Sequence, residues 1–144
     1  MPRYKQDYYM VKNHTKYIGK NLRIPYRSSY ELHLHQFFDN NPNVIQWGYE
    51  SFSVPYIKPT DNRVHQYIPD YYVKYRNKHG EILEEVIECK PQSQTRQTRS
   101  RNPKYRLVEQ VTYAINIAKW RACEAYCKKR NMKFRIVTER SIFA

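Results

Sequence analysis

The strongest constraint on the fold is a long helix predicted between two short strands. Residues 105–131 carry apolar side chains at helical spacing. That stripe comprises Leu107, Val108, Val111, Ile115, Ala118, Ala122, Ala125 and Tyr126. Residues 82–90 before the helix and residues 133–138 after it have the β-branched and apolar composition of strands. Because a strand–helix–strand connection within one sheet makes the two strands parallel, we expect a right-handed crossover and at least one parallel pair.

Upstream of this unit, the sequence predicts one helix and further strands. Residues 28–40 read as a helix whose apolar stripe is formed by Tyr30, Leu34, Phe37 and Phe38. Residues 43–57 read as two strands or one bent strand, and residues 64–76 as a single strand that a glycine-containing turn joins to residues 82–90. The order helix, three antiparallel strands, helix and strand predicts a single α/β domain with a mixed central sheet flanked by helices.

The first part of the chain shows no such regularity. Residues 1–27 alternate basic residues with tyrosines and have neither a helical nor a strand period. We therefore predict an irregular basic arm over residues 1–27, followed by the α/β domain over residues 28–144. A floppy tail is an equal alternative for the first ten residues.

Charge limits the choice of partner. Lysine and arginine number 26 against 13 acidic residues, a formal net charge of +13 in 144 residues. So basic a small domain favours a polyanion partner, most commonly nucleic acid, and some of its 15 tyrosines could stack on bases. No apolar stretch approaches the length of a membrane span, and the basic first twenty residues do not resemble a secretory signal. The three cysteines indicate reduced thiols in a cytoplasmic setting.

Two acidic residues and a lysine fall on neighbouring predicted strands. Asp70 follows Pro69, and Glu88 and Lys90 are two apart on the next strand, so they share a face. Such carboxylates can bind Mg²⁺, with the main-chain carbonyl of Cys89 as a further ligand, while Lys90 orients a water or stabilises charge at a phosphate. The alternatives are a strand-start aspartate and a surface ion pair, because this loose pattern also arises by chance.

Glu31 has two available roles. Ser28 and Glu31 have the Ser-x-x-Glu spacing of a capping box, which would close the start of the first helix. A carboxylate in the first turn of a helix packed on the sheet could equally reach a metal held by strand carboxylates. The local pattern by itself favours the cap.

A polar, basic segment follows the lysine-bearing strand. Residues 91–103 contain no apolar side chain, and no acid occurs until Glu109. The basic residues of this region are Arg96, Arg99, Arg101, Lys104 and Arg106. A solvated loop is one interpretation, but its place directly after the predicted site favours a clamp on DNA phosphates.

These stretches together resemble a known enzyme family. The resemblance lies in Glu31, Pro69-Asp70 and Glu88-Cys89-Lys90 in this order of elements, in Asn116-x-x-Lys119-Trp120, and in a closing Phe-x-Ile-x-Thr-Glu over residues 134–139. Over residues 12–144, the chain resembles the PD-(D/E)xK nuclease superfamily. Within that superfamily it resembles the head-completion nucleases of tailed phages, which are related to the transposon-end nucleases. Tyr30 stands where this family usually has tryptophan, and Cys89 stands where it usually has isoleucine or valine.

The resemblance implies a restriction-endonuclease-like αβββαβ core. Glu31, Asp70, Glu88 and Lys90 would be the catalytic set, acting on double-stranded DNA with Mg²⁺ or Mn²⁺. The expected function is a metal-dependent DNA endonuclease that acts in phage head completion after packaging. It would work in the host cytoplasm during assembly or in the virion, alongside portal or neck proteins. The alternatives are a non-catalytic DNA-binding completion factor on the same fold and a junction-resolving or transposon-end nuclease.

Further residues carry weaker hypotheses. Glu50 or Gln110 could lie near the metal, and Lys119 could contact DNA, since these match family positions. His35 lies one turn after Glu31 and could touch the site, although an exposed or core histidine is the favoured alternative. The sequence leaves the oligomeric state open.

Overall fold

The computed structural model describes residues 7–95 and 100–142. Its strands are β1 (Asp7–Met10), β2 (Arg23–Tyr26), β3 (Val44–Tyr49), β4 (Val54–Lys58), β5 (Arg63–Tyr67), β6 (Tyr71–Arg76), β7 (Ile82–Cys89) and β8 (Lys133–Val137). Its α-helices are α1 (Ser29–Asn40), α2 (Pro103–Lys129) and α3 (Glu139–Ile142). None of the described helices is long and apolar enough to cross a membrane.

The central sheet has four strands in the order β3-β6-β7-β8. β6 pairs antiparallel with both β3 and β7, whereas β8 returns through α2 and pairs parallel with β7. Gly80, at φ 79°, supplies the left-handed residue of the turn that joins β6 to β7. The predicted α/β fold with a mixed sheet and an αβββαβ order is therefore confirmed, including the parallel pair across the long helix.

The two faces of the sheet bury different clusters. On one face, α1 contributes Leu34 and Phe38 to a cluster with Trp47, Tyr71 and Ile87. On the other face, Trp120, Cys123 and Cys127 of α2 pack with Val86 of β7 and with the β4–β5 hairpin. Val86, Glu88 and Lys90 alternate with Ile87 and Cys89 along one extended segment, so Glu88 and Lys90 are directed to the α2 face.

The prediction of a single strand over residues 64–76 is wrong. The segment is divided into β5, which forms a separate two-stranded hairpin with β4, and β6, which belongs to the central sheet. The break falls at Ile68, Pro69 and Asp70. Proline lacks an N–H donor and has a fixed φ, so it ends the ladder and lets the chain move from the hairpin to the sheet.

The prediction of an irregular arm is wrong for residues 7–10 and 23–26, which form strands. β1 and β2 form an antiparallel pair, and Tyr9, Val11 and Ile24 are buried in the cluster on the α1 face. Local sequence patterns do not reveal this pairing, because its contacts join residues that are far apart in the sequence. Tyr9 opposes Ile24, and β1 is attached to α1 through Asp39 rather than through an apolar stripe. Residues 1–6 lie outside the described residues.

Both helices bury faces that differ from the predicted stripes. In α1, Phe37 is half-exposed, whereas Glu31, His35 and Asp39 are buried. In α2, Leu107 and Val108 are exposed, and burial begins at Asn116. Apolar periodicity missed these positions because the buried polar groups of α1 have hydrogen-bond partners and the first turns of α2 extend beyond the sheet–hairpin contact.

Candidate active site

One cleft brings the central residues together. It has a volume of about 230 Å³ and lies at the point where β7 ends and β6 begins. The side chains that line it and bear on its chemistry are Arg27, Glu50, Asp70, Glu88, Lys90, Asn116 and Lys119. Because Tyr71 opposes Ile87 in the β6–β7 ladder, the preceding Asp70 falls opposite Glu88.

The Asp70 and Glu88 carboxyl groups form a tight buried pair. Asp70 Oδ2 accepts a hydrogen bond from the main-chain N–H of Cys89 at 2.8 Å, and the hydroxyl of Tyr67 donates to Glu88 Oε2. The two carboxyl groups lie close enough for their charges to interact. Burial, followed by the charge of Glu88, raises the pKa of Asp70 to about 8, and burial raises the pKa of Glu88. A shared proton or a bound cation would relieve the repulsion between two such buried carboxylates.

The donor set of this pair fits a hard cation. Within the described residues, no group of three or more His, Cys, Asp or Glu side chains could hold a metal ion. Mg²⁺ requires fewer protein ligands, because one or two carboxylates suffice when waters and phosphate oxygens complete its shell. Asp70, Glu88 and the Cys89 carbonyl at the end of β7 are of this kind.

The raised pKa of Asp70 predicts a pH-dependent stability. The unfolded chain releases this proton near the ordinary pKa of 3.8 and the folded protein near 8. Between these values the folded state binds more protons, so its stability falls as the pH rises. We expect Asp70→Asn to increase the free energy of unfolding by up to about 5 kcal/mol at pH 8 in EDTA, because the two pKa values differ by about 4 units, and the gain to vanish near pH 4. Urea titrations at pH 4, 6 and 8 measure this, and an equal gain at all three would contradict it.

Glu31 lies behind the cleft and does not line it. Its N–H donates to Ser28 Oγ at 3.2 Å, which confirms the predicted cap. Its carboxylate accepts from the main-chain N–H of Arg27 at 2.7 Å and from the hydroxyl of Tyr49 at 3.1 Å. Burial raises the pKa of Glu31, and the charge of Asp70 adds to this. A role of Glu31 at the metal stays a prediction.

Glu50 and Arg27 occupy the mouth of the cleft. Glu50 has φ 49°, which is unusual for a residue with a side chain, and its N–H donates to the carbonyl of Asp70 at 2.8 Å. Arg27 Nη1 lies 3.0 Å from Glu50 Oε1 and donates to the hydroxyl of Tyr49 at 2.9 Å. Sequence reasoning missed Arg27, although its position directly before the Ser28 cap brings it next to the helix that bears Glu31.

The other predicted residues are distributed differently. Asn116 and Lys119 of α2 reach the cleft, but Gln110 is exposed and lies outside it. His35 is fully buried on the α1 face, where its Nε2 donates to the Pro25 carbonyl at 2.9 Å and its Nδ1 accepts from Tyr71 at 2.7 Å. Burial lowers the pKa of His35 to about 4, so the ring is neutral. His35 is therefore a core residue, and the Tyr71 hydroxyl that contacts its Nδ1 also lies 3.1 Å from the main-chain carbonyl of Glu31.

The predicted basic clamp is described only in part. Arg96 and Arg99 lie outside the described residues, whereas Arg101 is exposed. Lys104 and Arg106 are exposed in the first turn of α2, which begins at Pro103, two residues earlier than predicted. Arg106 Nε donates to the carbonyl of Ser100 at 2.9 Å, which ties the end of the loop to the helix.

The chain is similar to known nucleases. Residues 41–139 match the family described as "TnsA-like endonuclease N terminal", a segment that contains Asp70, Glu88 and Lys90. The chain belongs to the TnsA-like endonuclease family. It is also similar to the "Head completion nuclease" of Enterobacteria phage T4, with 32% identity over 137 residues. That similarity covers 91% of this chain and 89% of the T4 protein. Glu31 and Arg27 of this family member precede the segment that matches the family.

Proposed function

We propose that this protein is a Mg²⁺- or Mn²⁺-dependent endonuclease that hydrolyses phosphodiester bonds in double-stranded DNA. The observation that carries the proposal is the buried Asp70–Glu88 pair, with Lys90 beside it, in a cleft otherwise rich in basic groups. Membership of an endonuclease family supports the same reaction class.

In this proposal Asp70, Glu88 and the Cys89 carbonyl hold the metal. When bound there, a divalent cation supplies Lewis acidity toward the phosphate and lowers the pKa of a coordinated water. Tyr67 fixes the orientation of Glu88 by donating to its Oε2, and the Cys89 N–H fixes that of Asp70. Glu31 supports the set from behind the cleft, where its hydrogen bonds to Arg27 and Tyr49 hold it close to Asp70.

Lys90 acts on the water and on the phosphate. Hydrolysis forms a bond between the oxygen of a water molecule and phosphorus, and it breaks the bond between phosphorus and the leaving sugar oxygen. The water loses a proton, and the leaving oxygen takes one up from solvent. The Lys90 ammonium, on the same strand face as Glu88, orients this water and stabilises the negative charge of the transition state.

Basic groups around the cleft hold the DNA backbone. Arg101, Lys104 and Arg106 are exposed at the start of α2. The net charge of +13 favours binding of a polyanion to the protein surface in general. Together with Arg96 and Arg99 they would contact phosphates along the duplex, with an affinity that falls as salt rises. Arg27 at the cleft mouth would give up its ion pair with Glu50 and bind a phosphate oxygen instead.

We place the reaction in the assembly of a phage particle. The T4 relative is named a head completion nuclease, so this protein would act on DNA in head completion after packaging. It would then work in the host cytoplasm during assembly and could remain at the head–neck junction of the virion with portal or neck proteins. A non-catalytic completion factor would need the basic surface but not the paired carboxylates.

The metal requirement is tested with purified protein on plasmid, linear and branched DNA. We expect cleavage with Mg²⁺ or Mn²⁺ and none with EDTA, because the carboxylate pair cannot bring a phosphate and a water together without a cation. Gel electrophoresis gives the rate and distinguishes nicks from double-strand breaks. Intact DNA on every substrate form with either metal would reject the proposed function and favour the non-catalytic factor.

A further inference from the structure

We propose that Lys119 is a catalytic residue whose ammonium binds a non-bridging oxygen of the scissile phosphate, with the Asn116 amide as a second donor beside it. The inference rests on the proposed nuclease function and assigns the α2 side of its site. It differs from a general DNA-backbone contact because it stabilises the reacting phosphate itself.

The position of Lys119 supports this role. The residue lies on α2, and its side chain lines the same cleft as Asp70, Glu88 and Lys90. Lys119 is half-buried, whereas Arg101, Lys104 and Arg106, around the start of α2, are exposed. An ammonium group inside the cleft can reach a phosphate that is held against the carboxylate pair. An exposed basic group can instead contact the DNA backbone on either side of that phosphate.

The partners of Lys119 leave its charge available for an anion. Its Nζ lies 5.9 Å from the ring centre of Tyr56 and 5.8 Å from that of Tyr67. These rings attract a cation through their faces but offer no carboxylate. Among residues 7–95 and 100–142, the ion pairs involve Arg27, His65 and Arg135, and none involves Lys119.

The local charge balance supports the same conclusion. Burial lowers the pKa of Lys119, and the neighbouring Lys90 lowers it further, while Glu88 acts in the opposite direction. Two lysines directed into one cleft repel each other. A phosphate between them relieves this repulsion, and the transition state relieves it more because additional negative charge develops on its oxygens.

Asn116 extends the site by one helical turn. It precedes Lys119 by three residues, a spacing that puts both side chains on one face of a helix. Asn116 is only 8% exposed and lines the cleft, although an amide is an unusual choice for a helix face packed on a sheet. Its NH₂ group can donate to a second phosphate oxygen, which would fix the phosphate relative to Lys119.

The test compares Lys119→Met with Lys128→Met, which removes the same charge from an exposed position on the same helix. We expect Lys119→Met to lower the single-turnover cleavage rate at saturating DNA by about 100-fold or more, since loss of one charge-stabilising donor has that effect. Lys128→Met should stay within about twofold of wild type at saturation. DNA dissociation constants, measured in Ca²⁺, should change by similar small factors in both variants.

Further variants make the result decisive. Lys119→Arg should recover part of the rate because it keeps a cationic donor, and Lys119→Gln provides a second neutral variant should Lys119→Met lower the unfolding temperature. If Lys119→Met weakens DNA binding as Lys128→Met does but cleaves at the wild-type rate at saturation, the catalytic role is rejected while the nuclease function stands. A wild-type protein that does not cleave with either metal rejects the nuclease function, and the catalytic role with it.

Discussion

Replacement of Asp70 by asparagine is expected to reduce DNA cleavage at saturating Mg²⁺ by at least about 1,000-fold while the protein remains folded. The amide has nearly the same shape as the carboxyl group but offers no negative charge to a cation. Because Asp70 and Glu88 are the two buried carboxylates that interact in the cleft, a single remaining charge would bind the metal weakly. The measurement is the rate of plasmid nicking under single-turnover conditions.

The matched control for this experiment is Asp61→Asn. Asp61 is exposed in the turn between β4 and β5, where it pairs with His65, and it does not line the cleft. The control should cleave at close to the wild-type rate. A combination of lost cleavage and higher stability at pH 8 in Asp70→Asn would show that the carboxylate pair is kept for chemistry at a cost in stability. Wild-type cleavage by Asp70→Asn would remove this residue from the site.

Replacement of Asp39 by alanine is expected to lower the free energy of unfolding by about 2–3 kcal/mol. Asp39 is fully buried in α1, and its carboxylate accepts from the Tyr9 hydroxyl at 2.5 Å and from the N–H groups of Lys12 and Asn13 at 2.8 and 3.1 Å. The variant would leave the buried Tyr9 hydroxyl without its acceptor, and the N–H groups of Lys12 and Asn13 would lose theirs as well. Urea denaturation followed by circular dichroism gives the change, with the exposed Asp7→Ala as the control.

The pH dependence of the same variant gives an independent check. Burial alone would raise the pKa of Asp39, but hydrogen bonds from Lys12, Tyr9 and Asn13 outweigh it and lower the pKa below 3.8. The stabilisation is therefore present above pH 3.8 and is lost as the pH falls through the lower pKa of the folded state. The difference between wild type and Asp39→Ala should shrink in that acidic range. A difference below about 1 kcal/mol at pH 7 would show that the N-terminal strands are held in another way.

Elements with a strong local signal were predictable from the sequence. The capped start of α1, the β6–β7 turn at Gly80 and the parallel return through α2 each depend on a short pattern with a direct physical cause. The convergence of Asp70, Glu88 and Lys90 followed as well, because strand alternation and hairpin pairing fix their common face. For this part of the fold, local chemistry and tertiary structure agree.

Features that depend on distant partners were not predictable. The β1–β2 pair is held by Asp39, about 30 residues away in sequence, and no apolar period marks it. The division between β5 and β6 depends on where the β4–β5 hairpin packs against α2. Arg27 and Glu50 meet through a left-handed backbone conformation at Glu50, which side-chain patterns do not encode. Each of these is decided by tertiary contacts that override local preference.

The hydrogen bond from Tyr67 to Glu88 restricts how this protein can diverge. Tyr67 is the last residue of the β4–β5 hairpin, and only Ile68 and Pro69 separate it from Asp70. One end of an inserted hairpin is thus tied to both carboxylates, so a residue gained or lost between positions 67 and 70 would misplace one of them. The exposed turn over residues 59–62 has no such tie. Evolution can therefore lengthen or shorten the hairpin at its tip while the spacing at its base stays fixed.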